Sequence, residues 1–303
     1  MQIHTVAVLL ATYNGAAHCS AQLSSIMWQC GVNVHVYIRD DGSSDSTTQI
    51  VNEWAALYPE QITIVDNQGV STGSATGNFF ALLGAVDFTP YQYVALADQD
   101  DVWSPDKLAR ATRRLSEESA DGYSSDLIAF DKRSNAAWML LKSGRDAKLD
   151  YLFQGASAGC TYVLTRRAID VITEVIEAAP AFCVNASHDW IIYAICRSRH
   201  MRWIRDPSAE IFYRQHATNL YGAKQGISEL SAKLNALRSK WYRSHILWLQ
   251  NIVVGSAMEQ RVFHAISRGR FLDRLWLIGQ ASSFRRSRSY VAKLRLAIAL
   301  RIL

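Results

Sequence analysis

The sequence is poor in residues that break or staple a chain. Five prolines and 16 glycines in 303 residues exclude a collagen-like chain and a largely disordered one. Five cysteines, Cys19, Cys30, Cys160, Cys183 and Cys196, are scattered, odd in number and without a C-x-x-C pair. That usage points to a reduced, cytosolic protein with no zinc site. No run of 18 uncharged apolar residues occurs, so no transmembrane helix is expected. No basic and apolar leader precedes the first strand, so no signal peptide is expected. Two nucleotide motifs are also missing. No G-x-G-x-x-G follows the first strand, and the loop Gly73–Asn78 lacks the Lys-Ser/Thr of a phosphate-gripping P-loop. Any bound phosphate must therefore be neutralised by a metal or by other cations.

What is present is a chain 49% hydrophobic, long enough to bury a sizeable core without staples. Nine tryptophans and 13 tyrosines suit stacking or membrane-interface surfaces, and cores use them too. The net charge of +5 hides an asymmetry: residues 224–303 hold 15 Lys and Arg against 3 Asp and Glu, and residues 1–223 hold 17 against 24. A boundary near Gly222 follows. The basic segment attracts anionic partners, such as lipid headgroups, nucleic acid or phosphorylated substrates, or is simply a solvated helical face.

The N-terminal part alternates strands and helices. Short apolar runs predict strands at Thr5–Ala11, Asn33–Arg39, Gln61–Asp66 and Tyr91–Ala97. Helical spacing predicts Thr47–Tyr58, with Ser44 or Ser46 as N-cap, and Lys107–Glu118 behind Pro105. Repeated β-α-β implies a parallel sheet wrapped by helices, with ligands outside the carboxyl ends of the strands. Further on, a small-residue strand Ala156–Thr165, a helix Arg166–Ala178, a helix opened by His188-Asp189-Trp190, and short strands near Met201–Arg205 and Ala209–Arg214 are expected. Beyond Lys224 the pattern is helical and basic.

Polar residues collect at the predicted strand ends: Thr12-Tyr13-Asn14-Gly15, Asp40-Asp41-Gly42, Asp66-Asn67 and Asp98-Gln99-Asp100-Asp101. Three carboxylates in four residues repel one another unless a cation or water neutralises them. At the end of a buried strand they form a hard-oxygen site for Mg²⁺ or Mn²⁺. An acidic first turn ahead of Pro105 is the other reading of the same residues.

The segments VAVLLATYNG, VYIRDDGSSDST, YVALADQDDVWSPDKL, GCTYVLTRR, SHDW and YRQH occur in that order over residues 3–222. Together they resemble the inverting family 2 glycosyltransferases of the GT-A fold, and most of all the rhamnosyltransferase-like members of bacterial surface polysaccharide (O-antigen) synthesis. The resemblance implies an α/β fold, a Rossmann-like mixed sheet flanked by helices. It implies a catalytic domain over 1–223, with a donor half to about 101 and an acceptor half after it, and a helical basic region over 224–303. It also implies a nucleoside-diphosphate sugar donor, dTDP-rhamnose first and UDP-hexoses next, with Mg²⁺ or Mn²⁺ as cofactor.

Carried over by motif, Thr12, Tyr13, Asn14 and Asp41 would hold the base and ribose. Asp98 would face the ribose, and Asp100 or Asp101 would bind the metal. Asn78 and, more weakly, Asn67 are further donor-site candidates. Asp189 matches the general base, although the family often has Glu-Asp where this chain has His188-Asp189; the role of His188 stays open, and Asp189 as a mere helix cap is the alternative. His216 would add a metal ligand, and Arg214 would pair the diphosphate. Trp103 and Trp190 suit sugar stacking or core packing.

Acceptors in such pathways are often sugars linked to a polyprenyl diphosphate. The tail VAKLRLAIALRIL with Trp276 and Arg285-Arg286-Ser287-Arg288 resembles an interfacial anchor more than a spanning helix. A cytoplasmic enzyme peripheral to the inner membrane is expected, and no nucleic-acid motif is visible. Two other readings remain at this point: a sugar nucleotidyltransferase, disfavoured because Ala11–Gly15 is not a basic Gly-rich loop, and an inactive GT-A domain serving as a membrane-associated scaffold.

Overall fold

The computed structural model describes residues 3–131, 134–182, 186–215 and 241–301. Strand β1 (His4–Thr12) lies in the middle of a seven-stranded sheet because its side chains leave it no polar face: Val6 to Leu10 are all fully buried. Such near-continuous apolar runs belong to strands covered on both faces. β2 (Val32–Asp40) and β4 (Tyr93–Asp98) pair with it in parallel, and β3 (Ile62–Ile64) pairs with β2. The sheet continues through β9 (Val163–Thr165), β6 (Gly122–Ser125) and β10 (Trp203–Asp206), in the order β3-β2-β1-β4-β9-β6-β10. β9 runs antiparallel to both neighbours, so the sheet is mixed rather than wholly parallel. A second sheet has the order β5-β11-β7-β8, from β5 (Val102–Trp103), β7 (Leu127–Asp131), β8 (Ala136–Leu140) and β11 (Ile211–Arg214).

Helices α1 (Cys19–Met27), α2 (Thr47–Leu57), α3 (Ala75–Ala85), α4 (Lys107–Glu117) and α5 (Arg166–Glu177) connect the strands. α4 shows why its sequence is helical: Leu108, Ala111, Thr112 and Leu115 recur at helical spacing and are buried, while Arg110 and Arg114 lie on the polar side. The strand expected over Ala156–Thr165 is reduced to three residues, because Gly159–Thr161 closes a 3₁₀ turn first. Ser46 does precede α2, but its side chain makes no capping bond.

The chain forms two compact units that interleave in sequence. The sheet unit takes residues 1–143, 157–177 and 201–222; the helical unit takes 144–156, 178–200 and 223–303. The boundary expected near Gly222 is thus one of several crossings, and it lies outside the described residues. Segments 144–156 and 178–200, expected within the catalytic domain, belong to the helical unit. That unit contains a 3₁₀ turn (Asp150–Leu152), α6 (His188–Ser198), α7 (Trp241–Leu249), α8 (Ala257–Arg268), α9 (Phe271–Phe284) and α10 (Arg288–Ala299). α8 is delimited by local chemistry alone: a Ser256/Glu259 capping box starts it, and Gly269 in the left-handed region (φ 59°) ends it.

Fully buried Asp150 organises the helical unit. It accepts Arg286 Nε at 2.6 Å and the Tyr193 hydroxyl at 3.2 Å, with Arg197 at 3.8 Å. No helix among the described residues is long and apolar enough to cross a membrane.

Candidate functional site

Strand register decides which polar residues meet. Thr12 is the partner of Asp40, and Ala11 the partner of Asp98, so β1, β2 and β4 end side by side at their carboxyl ends. Loops from three strands are stitched together there. Asn14, in the left-handed region at φ 47°, donates its backbone N–H to the Ser43 hydroxyl and accepts the Ser44 N–H on its side-chain oxygen, both at 2.8 Å. Gln99 clamps Tyr13: its amide oxygen accepts the Tyr13 N–H and its amide nitrogen donates to the Tyr13 carbonyl, each at 2.8 Å. Gly15 makes this possible, since a Cβ there would lie 2.2 Å from Gln99 Oε1. The clamp leaves the Tyr13 ring 56% exposed, available to cover a flat ligand.

Asp41 turns inward. It is 4% exposed, and its two oxygens take Arg39 Nη1 (2.9 Å), the Thr72 N–H (2.7 Å) and hydroxyl (3.0 Å), the Gly73 N–H (2.9 Å) and the Ser71 hydroxyl (3.2 Å). Burial alone would raise its pKa; these donors, Thr72 and Arg39 foremost, outweigh it and hold the carboxyl below its usual range. In this conformation Asp41 is therefore the anchor of the loop Ser71–Gly73. Asn78 is equally engaged, accepting from Arg39 at 2.8 Å and donating to the carbonyls of Thr12 and Arg39. Asn67 bonds the Asp40 carbonyl and the Gly69 N–H. Thr12 is buried, with its hydroxyl on Asp40 at 2.9 Å. These residues, expected to touch a ligand, also hold the floor and walls together.

The acidic cluster is graded by depth. Asp98 and Asp100 are half-buried, and Asp101 is fully buried. Ligand atoms of Asp98, Asp101 and Cys160 lie within 4.8 Å of one another. Asp101 Oδ2 has no hydrogen-bond partner among the described residues, while its other oxygen meets the Arg214 N–H at 3.3 Å. Burial, then the charges of Asp98 and Asp100, push the Asp101 pKa well up, and burial does the same to the Cys160 thiol. Burial thus favours the Cys160 thiol over a thiolate ligand. Beneath them lies Lys107, its Nζ 3.3 Å from the centroid of the Trp103 ring. Burial lowers its pKa to about 7.

An unpartnered buried carboxylate oxygen among converging carboxylates fits a hard divalent cation. The half-buried Asp98 and Asp100 are the members that solvent-borne ions can reach. Arg214 is buried on β11, donates Nε to the Asp100 carbonyl at 2.9 Å and lies over the Phe130 ring. His216 lies outside the described residues.

In the helical unit, Asp189 sits in the first turn of α6, half-buried. Its Oδ1 accepts the Ser187 hydroxyl and the Trp190 N–H. Ser187, not Asp189, occupies the N-cap position. His188 is buried, which lowers its pKa and keeps its imidazole neutral near pH 7. Trp190 and Trp103 are both core residues, 4% and 3% exposed. Trp190 donates Nε1 to the Tyr151 carbonyl at 2.7 Å and packs on His245, ring centroids 4.2 Å apart. Three residues of evident structural weight had no role in the sequence reading: Gln99, Cys160 and Lys107. Only Gln99 carried a signal, as the polar residue inside the acidic motif.

The comparisons agree with this geometry. Residues 7–170 match the model of Glycosyl transferase family 2. The chain is 34% identical over 248 residues to the dTDP-rhamnosyl transferase RfbG of Shigella flexneri, covering 80% of this chain and 83% of that one. It is 22% identical to the UDP-Glc:alpha-D-GlcNAc-diphosphoundecaprenol beta-1,3-glucosyltransferase WfaP of Escherichia coli, over 79% of this chain and 88% of that one. Among solved structures, residues 1–349 of S. aureus TarS in complex with UDP-GlcNAc align with a TM-score of 0.58 at 13% identity, over 97% of this chain and 86% of that one. Against the longer TarS chain the TM-score is 0.60, again at 13% identity and over 97% of this chain, which spans about half (52%) of that protein. At such identity TarS speaks for the fold alone, a GT-A α/β fold, whereas the family match and the RfbG likeness reach further. The chain belongs to glycosyl transferase family 2.

Proposed function

We propose that this glycosyltransferase moves rhamnose from dTDP-rhamnose to a hydroxyl of a polyprenyl-diphosphate-linked glycan, with inversion at the anomeric carbon and with a divalent cation. The carrying observation is the shared register of β1, β2 and β4, which gathers the Tyr13–Asn14 loop and the graded acidic cluster at one edge of the sheet. The names of RfbG and WfaP support the donor and the acceptor class respectively.

In this reading Tyr13 covers the base and Asn14 shapes the ribose loop. Asp41 accepts the imide N–H of thymine or uracil, a bond that requires the Ser71–Gly73 loop to surrender one of the bonds it now makes to Asp41. Asp98 faces the ribose and Asp100 the metal, with the fully buried Asp101 as the support behind them. Arg214 positions Asp100 through its carbonyl and adds positive charge for the diphosphate. Mg²⁺ or Mn²⁺, held by these carboxylates, would stabilise the charge developing on the leaving diphosphate.

Asp189 is the general base. It takes the proton of the acceptor hydroxyl, whose oxygen forms a bond to the anomeric carbon. The bond from that carbon to the diphosphate breaks, and its electron pair leaves with the nucleoside diphosphate. The Ser187 hydroxyl and Trp190 N–H on Oδ1 fix the carboxylate's orientation for that task. The basic helical unit supplies peripheral attachment to the cytoplasmic face of the inner membrane.

The test is ligand-observed NMR with dTDP-rhamnose, UDP-glucose, UDP-galactose, UDP-N-acetylhexosamines and GDP-mannose, with and without Mg²⁺, on the wild type and Asp100→Asn. Mg²⁺-dependent binding of dTDP-rhamnose that weakens in the variant is the expected result. Binding of another donor would replace the sugar. Binding of none would favour an inactive scaffold.

A further inference from the structure

The helical unit holds a cavity of about 280 Å³ lined by Arg145, Arg285, Arg286, Arg288 and Arg295. Among the described residues that line it none is acidic. The volume is many times the roughly 10–15 Å³ of accessible space one water needs, so the cavity admits a polyatomic anion.

The five arginines are not equivalent. Arg286 is fixed as a wall: Nε on Asp150 at 2.6 Å, Nη1 on the Ala156 carbonyl at 2.8 Å and Nη2 on the Gly155 carbonyl at 2.6 Å. Arg285 is held by Gln154 at 3.0 Å and by the Tyr242 hydroxyl at 2.6 Å. Arg295 donates Nε to the Ile278 carbonyl at 3.2 Å. Arg145 and Arg288 are exposed and make no ion pair among the described residues. One carboxylate, Asp150, thus meets one of five guanidinium groups. The repulsion left over favours an anion, and the planar forks of arginine match phosphate oxygens best.

The surroundings say which anion. Arg288, Val291, Ala292 and Arg295 share one face of α10 at helical spacing. From Arg288 and Ala292 the i, i+4 row winds on to Leu296 and to Leu300 at the helix end, each 60% exposed, over about 12 Å from Ala292 at 1.5 Å per residue. A phosphate site that opens onto a strip of exposed leucines suits a phosphate carried by a lipid. We propose that this cavity binds the diphosphate of the lipid-linked acceptor, with Leu296 and Leu300 receiving the first part of its hydrocarbon chain. The identity of the lipid as an acceptor rests on the function proposed above; the anion site itself does not.

The site is also tied to α6. Arg286 bonds Asp150, Asp150 accepts the Tyr193 hydroxyl, and Tyr193 lies one turn beyond Asp189 on α6. An acceptor diphosphate held here would be registered against the helix that carries the proposed base.

The experiment uses the full chain, because cutting at residue 223 would separate segments 144–156 and 178–200 from the helices they pack with. Phosphatidylcholine vesicles containing a few per cent of a long-chain polyprenyl diphosphate are compared with vesicles of equal charge made with phosphatidylglycerol. Arg145→Gln/Arg288→Gln/Arg295→Gln is compared with the wild type and with the charge-preserving triple lysine variant; all three positions are exposed. The wild type should bind the diphosphate vesicles at least about tenfold more tightly than the charge-matched ones. Inorganic pyrophosphate should compete, the triple Gln variant should lose the preference, and the lysine variant should retain only part of it. Equal binding to both vesicle types, or an unaltered triple Gln variant, would overturn the proposal. dTDP binding by NMR, expected to be the same in all three proteins, is read in parallel. Its absence from the wild type would sink the proposed donor while leaving the anion site standing.

Discussion

Each unit is braced by one fully buried aspartate among arginines, and the two braces differ in what else their arginines do. In the sheet unit Asp206 takes Arg110 Nε at 3.1 Å, Arg114 Nη1 at 3.0 Å and the Tyr123 hydroxyl at 3.2 Å. Both arginines lie on α4, and neither lines a described cavity. In the helical unit Asp150 takes Arg286, which also walls the arginine cavity, and Tyr193, which belongs to the helix of Asp189. The same chemical device closes a fold in one place and joins a fold to a site in the other. Asp206 titrates below the usual range although burial opposes it, because Arg110, the Ser208 N–H and Arg114 hold its charge.

The largest effect should come from cutting these braces. Asp206→Ala and Asp150→Ala are each expected to cost about 3–5 kcal/mol, the scale for leaving buried charges without their partner, measured by urea unfolding. A cost below about 1 kcal/mol for Asp150→Ala would mean that Asp150 serves the cavity rather than the fold.

Next come the two carboxylates assigned to chemistry, one in each unit. Asp100→Asn and Asp189→Asn should each lower turnover at least about 10²-fold. Only Asp100→Asn should also weaken donor binding with Mg²⁺. Near-wild-type turnover in Asp189→Asn would remove it as the base. Asp101→Asn should lose less than Asp100→Asn, since burial raises the Asp101 pKa and so disfavours its charged form.

Acid should separate the units. His245 is fully buried against Trp190, and burial lowers its pKa to about 4. The unfolded chain then binds a proton that the folded chain refuses, so stability is lost as pH falls from about 6.5 towards about 4. By pH 5 the loss should reach about 2 kcal/mol. The contribution of Asp206, whose folded pKa is depressed, is lost only at lower pH, below the ordinary carboxyl range. Trp190, Trp241 and Trp248 should therefore report unfolding at a higher pH than Trp103 and Trp203. His245→Gln should flatten the first transition, and coincident transitions in both sets of tryptophans would contradict the separation.

The smallest effect concerns the Tyr13 clamp. Gly15→Ala must displace Gln99, and about tenfold weaker dTDP binding is expected. Gln99→Ala should do the same, and the double variant should be no worse than either alone, as for residues acting through one contact. Additive losses would show that Gly15 acts on the ligand by another route.

Much of the sheet unit was legible because its signals are local. β1 and β4 are nearly continuous apolar runs, β2 alternates Val with polar residues before Tyr37-Ile38, and α4 has a clean periodicity behind Pro105. Where long-range partners decide, the sequence was silent. Gly122–Ser125 is polar yet fully packed as β6, which no pattern of alternation announces. Asp41 looks like a free carboxylate after a strand, and its donors arrive from thirty residues further on. The loop reading of Gly73–Asn78 overlooked a local cue: Ser74 caps α3 by accepting the Gly77 N–H. Trp190 was an even choice between sugar and core, and the rings of Tyr242 and His245 around it come from a part of the chain fifty residues away. The acidic motif was read as a cluster of Asp98, Asp100 and Asp101, whereas the ligand atoms that converge are those of Asp98, Asp101 and Cys160, and the depth gradient from Asp98 to Asp101 depends on β11 closing over it.

The interleaving of the two units has a consequence for how the chain is made. β11 lies between β5 and β7 in the second sheet, and β10 completes the edge of the first beside β6. Both strands are translated after α6, which belongs to the other unit. A nascent chain that has emerged only to residue 200 carries β5 and β7 without the strand that joins them, exposing their hydrogen-bonding edges. Completion of the sheet unit must therefore wait on a segment synthesised after part of the helical unit. Neither unit can be inherited, exchanged or recombined as a cassette by a single cut in the gene.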